Sequence, residues 1–409
     1  MENRLDAVSF YILSVNFMMA VSSGLRTLTF PLYAYALGYS PFEISLFYVV
    51  YYIVHLIFTY PFALLSQKVG ASKVVPILSV ADAVSIFLIS FHTPTLFVIS
   101  FVLLGLASAL VPQLNSLIAH NFKDKLTKIY SRTIAATLAG NLVSQTLTAI
   151  FGQQGLFSTI YFSVGMMYIA FAAVSIFLLR GFKDINVELK VKYIPSRNLL
   201  VLSLLTFVAA FSSLIVARFI QIWFVEQSLS VFDVSVIYMM KSVIGMGASL
   251  LTEKVGENAL LRPSVYISLA ALSTVQVLLI YFPPPISVVS YVSASLTGPI
   301  LATADNVIVT KILNELKEVE NGFALMSTFR MVGEIFGTLG QGLLFTSGEY
   351  LVPFALGCGP GLPGARDGLG AVREDRRQER PFTRPRLDVA VLSHSVDHPP
   401  HEPIPQQQH

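Results

Sequence analysis

Apolar runs of about 20 residues, each closed by a short polar break, recur along most of the chain. At about 1.5 Å per residue, one such helical run crosses roughly 30 Å of hydrocarbon. The breaks delimit eleven helices, near residues 8–37, 41–66, 74–91, 95–118, 131–152, 155–179, 198–224, 230–251, 263–282, 285–310 and 322–346. A twelfth starts near Tyr350, but the apolar stretch from Tyr350 to Leu356 is too short to span a bilayer, so a truncated twelfth helix is expected. The pattern predicts an all-α polytopic membrane protein.

The breaks alternate in character. Every second one carries bases: Lys68 and Lys73; Lys123, Lys125 and Lys128; Arg180, Lys183, Lys190, Lys192 and Arg197; Lys254 and Arg262; Lys311 and Lys317. The connections between them, around Gly38, His92, Gln153, Gln227, Pro284 and Gly348, hold no Lys or Arg. Cytoplasmic loops collect Lys and Arg, so the basic breaks and the N-terminus are expected inside, in a multi-pass protein of the cell membrane.

Composition agrees. Charged residues are 12% of the chain and apolar residues 54%, with a mean hydropathy of +0.68, values that suit lipid rather than water as the surrounding solvent. Cys358 is the single cysteine, which excludes an internal disulfide framework and a cysteine metal cage. The first apolar run is too long for a signal-peptide core and reads as a retained helix, although Ala20-Val21-Ser22 loosely mimics a cleavage site.

The chain also repeats itself. Phe42-Glu43-Ile44-Ser45-Leu46-Phe47-Tyr48 returns as Phe232-Asp233-Val234-Ser235-Val236-Ile237-Tyr238. Each copy is followed by an apolar stretch and a near-identical tetrapeptide, Gln67-Lys68-Val69-Gly70 and then Glu253-Lys254-Val255-Gly256. The longest polar break, Arg180 to Arg197, separates the copies. Two six-helix bundles related by a pseudo-two-fold axis along the membrane normal follow: residues 1–180, a cytoplasmic linker 181–197, and residues 198–357. Beyond 357 lysine gives way to arginine and the text turns Gly- and Pro-rich, so residues 358–409 are expected to be a disordered tail foreign to the bundle.

The tetrapeptides carry a resemblance. Over roughly residues 5–355 the chain resembles the major facilitator superfamily, whose signature after helices 2 and 8 is an acid, a base, any residue, a glycine and further bases. Gln67, Lys68, Gly70 and Lys73 fit the first copy, with Gln67 where the family has its acid; Glu253, Lys254 and Gly256 fit the second with the acid kept. The resemblance implies that these residues form a conformational gate, the glycine giving a tight turn and the charges locking one conformer. Two departures weaken a drug-antiporter reading. No arginine precedes Gly105 in helix 4, and Ala139-Gly140-Asn141-Leu142-Val143-Ser144 in helix 5 lacks the Gly-Pro pair.

Ionisable residues in mid-membrane are costly and mark functional candidates; here they are Arg26, Asp82, Arg218, Lys241, Asp305, Arg330 and Glu334. Arg26 shares a helical face with Asn16 and Ser23, and Arg218 continues to Gln221. The resemblance places helices 1 and 7 on the central cavity, where two arginines would bind a carboxylate or phosphate, as in the family's organophosphate/phosphate exchangers. Snorkelling, or pairing with Glu43 or Asp233, is the competing reading. Helix 11 sets Ser327, Arg330, Glu334, Thr338 and Gln341 on one face, and a Lys241–Glu334–Arg330 cluster is expected. Glu334 is the first candidate for proton coupling, against a permanent salt bridge; Asp305 is a second, as gate or cap, and Asp82 is read as structural. Asn141 and Gln145 on helix 5 are candidate substrate contacts, or helix glue. The tyrosines of helix 2 around His55 are read as packing or gating.

The expectation is a secondary transporter that moves a small solute, an organic or inorganic anion, by alternating access. The alternatives are efflux of amphiphilic or uncharged metabolites, and a non-transporting sensor with the same fold. No His-Glu-x-x-His or Gly-x-Ser-x-Gly motif supports an enzyme, and no basic patch suits nucleic acid. The expected partners are the bilayer and a small-molecule substrate, in a monomer with no metal or other cofactor beyond a coupling proton or ion.

Overall fold

A computed structural model describes residues 2–122, 125–178, 195–255, 262–279, 282–316 and 319–347. The onset of a twelfth helix near Tyr350, most of the 181–197 linker and the 358–409 tail lie outside the described residues.

Every regular element among the described residues is helical, and they assemble into eleven rods. Helix α1 runs Glu2–Gly24, loosens into a π turn at Leu25–Thr29, and resumes as Phe30–Ala36. Next come α2 (Pro41–Val69), α3 (Ala71–Ile89) and α4, in two segments, Pro94–Ala107 and Leu110–Asn121. Helix α5 (Leu126–Leu147) ends in a second π turn, Thr148–Gly152, and α6 is Phe157–Leu178. Helix α7 is broken as well, into Arg197–Ala217 and Ile220–Glu226. Then follow α8 (Val231–Lys254), α9 (Pro263–Leu279), α10 (Ile286–Leu316) and α11 (Val319–Thr346). Eight of the rods are long and apolar enough to cross a membrane. The shorter α3 and α9, with 19 and 17 residues, and the charge-bearing α11 fall below that mark yet pack among the others.

The packing partners are consistent with the repeat. In the first half α1 packs on α5, α2 on α4 and α3 on α4; in the second, α7 packs on α11, α8 on α10 and α9 on α10. Small residues set the closest crossings. A Cβ on Gly140 of α5 would stand 2.3 Å from the Phe17 carbonyl of α1, and one on Gly333 of α11 would stand 2.3 Å from the Phe207 carbonyl of α7. Lipid offers no hydrophobic drive between helices, so backbone approach of this kind supplies the van der Waals contact that holds them.

The repeated heptapeptides start helices. Ser40 and Glu43 form a reciprocal capping box at the head of α2, the Ser40 amide donating to Glu43 Oε2 at 2.7 Å and the Glu43 amide to Ser40 Oγ at 3.2 Å. Ser230 and Asp233 do the same at the head of α8, at 3.0 and 3.1 Å. Each box satisfies two of the orphan amides of a helix start and is worth about 1 kcal/mol. Glu43 and Asp233 are therefore occupied at helix starts rather than paired with Arg26 or Arg218. At the other end of α2, Gly70 takes φ +98, a left-handed conformation that favours glycine, and α3 starts at the next residue.

The halves meet along two seams, α2 against α11 and α5 against α8. At the end bearing the neutral connections, Phe30 of α1, packed edge-on against Phe97 at 5.5 Å, belongs to one aromatic core with Phe219, Trp223 and Phe224 of α7. At the end bearing the basic connections, Ala119 of α4 clusters with Leu313 of α10 and Phe323 of α11. Side chains of both halves thus come together at either end of the seam.

Candidate functional site

The ionisable residues of the interior fall into separate groups. Arg26 lies in the π turn of α1 and its Nη1 donates to Asp82 Oδ1 of α3 at 3.0 Å; Ser22 Oγ donates to the same oxygen at 2.8 Å. Asp82 is 2% exposed and the Arg26 side chain 15%, so the carboxylate is buried and its partner largely so. The π turn frees backbone carbonyls that side chains then satisfy. Tyr48 of α2 donates to the Arg26 carbonyl, and Tyr161 of α6 donates to the Leu25 carbonyl at 3.1 Å. The π turns of α1 and α5 touch through Thr29 Oγ1 and Thr148 Oγ1, 2.6 Å apart.

Arg218 stands at the corresponding break of α7 and faces the other way, across the seam. Its Nη2 donates to the Tyr52 hydroxyl of α2, and its guanidinium carbon lies 4.3 Å from the centre of the Tyr48 ring. Its Nε is buried without a hydrogen-bond partner. The break is again satisfied by side chains: Gln221 donates to the Arg218 carbonyl at 2.9 Å, and the Phe219 amide donates to Gln341 Oε1 of α11 at 3.2 Å. Gln221 Oε1 accepts from the Tyr238 hydroxyl of α8 at 3.1 Å. Tyr238 leads to Lys241, whose Nζ sits 3.9 Å above the Tyr291 ring of α10. Cations over tyrosine faces gain about 0.5–2 kcal/mol. Among the described residues neither Arg218 nor Lys241 forms a salt bridge.

The expected Lys241–Glu334–Arg330 cluster divides accordingly. Arg330 Nε and Glu334 Oε1 are 2.7 Å apart within α11, while Lys241 turns to tyrosines. The Arg330 side chain is 59% exposed, yet it lies within electrostatic reach of Tyr51, Tyr52 and His55, which are interior groups.

The other sequence candidates are placed as follows. Asn16 donates to the Ile12 carbonyl of its own helix at 2.8 Å. Asn141 points its Oδ1 to where α1 passes at Gly24, and Gln145 is buried with Oε1 unpartnered. Asp305 is exposed on α10, and Lys68, Lys73 and Lys254 are exposed at helix ends. The side chain of Gln67, and all of Gly256, lie outside the described residues. Glu253 meets a partner that the sequence reading did not single out. Arg132 of α5 grips it through Nε–Oε2 at 3.0 Å and Nη2–Oε1 at 2.9 Å, with Lys128 Nζ 3.8 Å away. Tyr48, one of the helix 2 tyrosines read as packing or gating, joins the Arg26 carbonyl to the Arg218 cation. Its place in the repeated heptapeptide, opposite Tyr238, was the available signal.

The arrangement is that of a polar interior between two packed helical halves, with two cations resting on aromatic faces. No curated protein matches the sequence. Among solved structures, the chain is similar in fold to the human organic anion transporter MFSD10 (TETRAN), with a TM-score of 0.64 at 12% identity over 86% of this chain and 99% of that one. It is also similar to the nucleoside transporter NupG, with a TM-score of 0.60 at 11% identity over 89% and 99% of the respective chains. The family model of the major facilitator superfamily matches residues 12–338, and the chain belongs to that family of multi-pass membrane transporters.

Proposed function

We propose that the chain is a secondary transporter of small organic anions that works by alternating access, with the anion bound at Arg218 and Lys241. The observation that carries this reading is two interior cations without a salt bridge among the described residues, Arg218 resting on Tyr48 and Tyr52 across the seam and Lys241 on Tyr238 and Tyr291 beside it. Arg26 and Asp82 cancel one another, and so do Arg330 and Glu334, which leaves the seam positive until an anion enters. Guanidinium binds a carboxylate, sulfonate or phosphate with paired hydrogen bonds, while Tyr48, Tyr52, Tyr238 and Tyr291 accommodate an apolar body. The solved organic anion transporter of similar fold supports the same substrate class.

In this reading residues 1–180 and 198–357 move as two halves about the seam, and Arg26 supports α1 rather than touching the substrate. The basic end faces the cytoplasm, with the N-terminus inside and the protein monomeric in the cell membrane. Gln221 holds the broken α7 in register beneath Arg218. Asn16, Asn141 and Gln145 line the first-half wall, Glu334 stays ionised as the counter-charge of Arg330, and Asp305, nearer the basic end of α10, serves as gate or cap. Bound anion neutralises the seam and favours its closure, a differential binding energy between open and closed states.

Uptake into proteoliposomes of a panel holding benzenesulfonate, inorganic phosphate, a sugar and a nucleoside tests the assignment. Saturable uptake of the organic anion supports it. Uptake confined to the nucleoside or sugar would replace it with the uncharged-solute reading, and binding without flux would favour a sensor.

A further inference from the structure

His55 of α2 is 3% exposed, and its Nε2 lies 3.3 Å from Ser327 Oγ of α11, so one imidazole bridges the two halves. Its Nδ1 is buried and has no hydrogen-bond partner. A ring that titrates near neutral pH is an expensive packing group when one nitrogen is left orphaned. Counted from the head of α2, His55 stands about 21 Å deep and Tyr52 about 16 Å, so the ring lies on the basic-end side of the Arg218 site.

The groups that face it come from every packed neighbour. Helices α11, α4, α3 and the last segment of α1 pack on α2. Helix α11 brings Arg330 within electrostatic reach of the imidazole, and Glu334 within reach of the flanking Tyr51 and Tyr52. The Tyr51 ring is centred 6.1 Å from His55. Helix α4 offers Gly105 and Ser108 beside Tyr51. Helix α3 carries Asp82, held by Arg26, and the exposed Lys73. The last segment of α1 brings Tyr33, bonded to His92, and Arg218 of α7 reaches Tyr52.

We propose that His55 is a proton-binding group of the transport cycle, protonated at Nδ1 while α2 and α11 are apart and neutral when they close. In the closed arrangement an N–H at Nδ1 has no acceptor among the described residues, and an imidazolium would set a buried cation within electrostatic reach of Arg330. Separation of the helices admits water to Nδ1, whose lone pair then takes a proton from it. Closure at that face, with opening at the other, releases the proton to water on the far side, while Glu334 keeps Arg330 neutralised. One proton gained and lost per cycle ties anion movement to the pH gradient. The inference rests on the anion-transport reading above, and the experiment separates the two.

The purified protein in liposomes is given radiolabelled benzenesulfonate, which stays ionised and does not leak across as a neutral acid. For one proton per anion, an acid-outside gradient of one pH unit raises accumulation up to about tenfold. His55→Gln retains an amide able to face Ser327 but does not titrate. It is expected to leave anion counterflow within about twofold of the unaltered protein and to bring gradient-driven accumulation close to one. Ser327→Ala is expected to keep accumulation and displace its pH midpoint. Undiminished accumulation in His55→Gln, or an unaltered protein that exchanges anion but ignores the gradient, overturns the proposal. If no anion is exchanged, the transport reading fails and thiol labelling decides His55 by itself. On a Cys358→Ser background, the labelling rate of Thr59→Cys, divided at each pH by that of a cysteine at the exposed Lys68 position to remove the thiol's own ionisation, rises in acid, and His55→Gln removes that rise; a rise that survives His55→Gln refutes the assignment.

Discussion

Arg132 of α5 and Glu253 of α8 face one another across the boundary between the halves, joined by two parallel hydrogen bonds of 3.0 and 2.9 Å. Glu253 is the acid of the second signature copy, so the repeated tetrapeptide acts through a partner in the opposite half. One turn back, Ser249 Oγ donates to the Ser131 carbonyl at 2.7 Å and closes the same seam.

The side chains of this pair are 44% and 21% exposed, which holds its worth to about 1 kcal/mol or less. Glu253→Gln is expected to raise the labelling rate of a cysteine placed at Ser249 on a Cys358→Ser background by a few-fold. Arg132→Ala should do the same, and the two changes together no more than either, because they remove one interaction. Additive effects would show that the residues act separately.

The Arg26 and Asp82 side chains are 15% and 3% exposed, and breaking a largely buried pair strands a charge at a cost of up to about 3–5 kcal/mol. Arg26→Ala and Asp82→Ala are each expected to lower the melting temperature in detergent sharply. The double change should be less damaging than the sum, since no orphan charge remains. Equal loss of anion affinity with unaltered melting in Arg26→Ala would instead make Arg26 a substrate ligand.

Much of the fold was legible because the membrane restricts it. Eleven apolar runs became eleven rods, and the duplicated heptapeptide reappeared as two capping boxes at Ser40–Glu43 and Ser230–Asp233. Partner choice was harder to read. Arg26 and Arg218 occupy nearly equivalent places in the repeat, yet one turns inward to Asp82 and the other crosses to Tyr52. The difference comes from which helix lies opposite, and spacing along a single helix does not encode that. Lys241 likewise shares neither a helix nor a short spacing with Tyr291, so its aromatic seat on α10 left no local trace.

The tight helix crossings give a stability prediction. Gly140→Ala and Gly333→Ala would each place a methyl 2.3 Å from a carbonyl oxygen of the neighbouring helix. Overpacking of this kind costs about 1–3 kcal/mol and outweighs the propensity gained by replacing glycine in a helix. Gly247, where an added methyl would meet nothing within 4 Å, serves as the control, and Gly247→Ala is expected to leave melting unchanged or slightly raised. Thermal unfolding followed in one detergent compares the three, and an equal effect at all of them would mean that the crossings are looser than described.

The most direct trial of the account is the concentration dependence of benzenesulfonate uptake by proteoliposomes holding the unaltered chain, Arg218→Ala or Lys241→Ala. A lost charge-assisted contact is worth about 1.5–3 kcal/mol, so each change is predicted to raise the half-saturating concentration by roughly 10- to 150-fold. Saturation curves that coincide for all three proteins would contradict an anion site at these two cations.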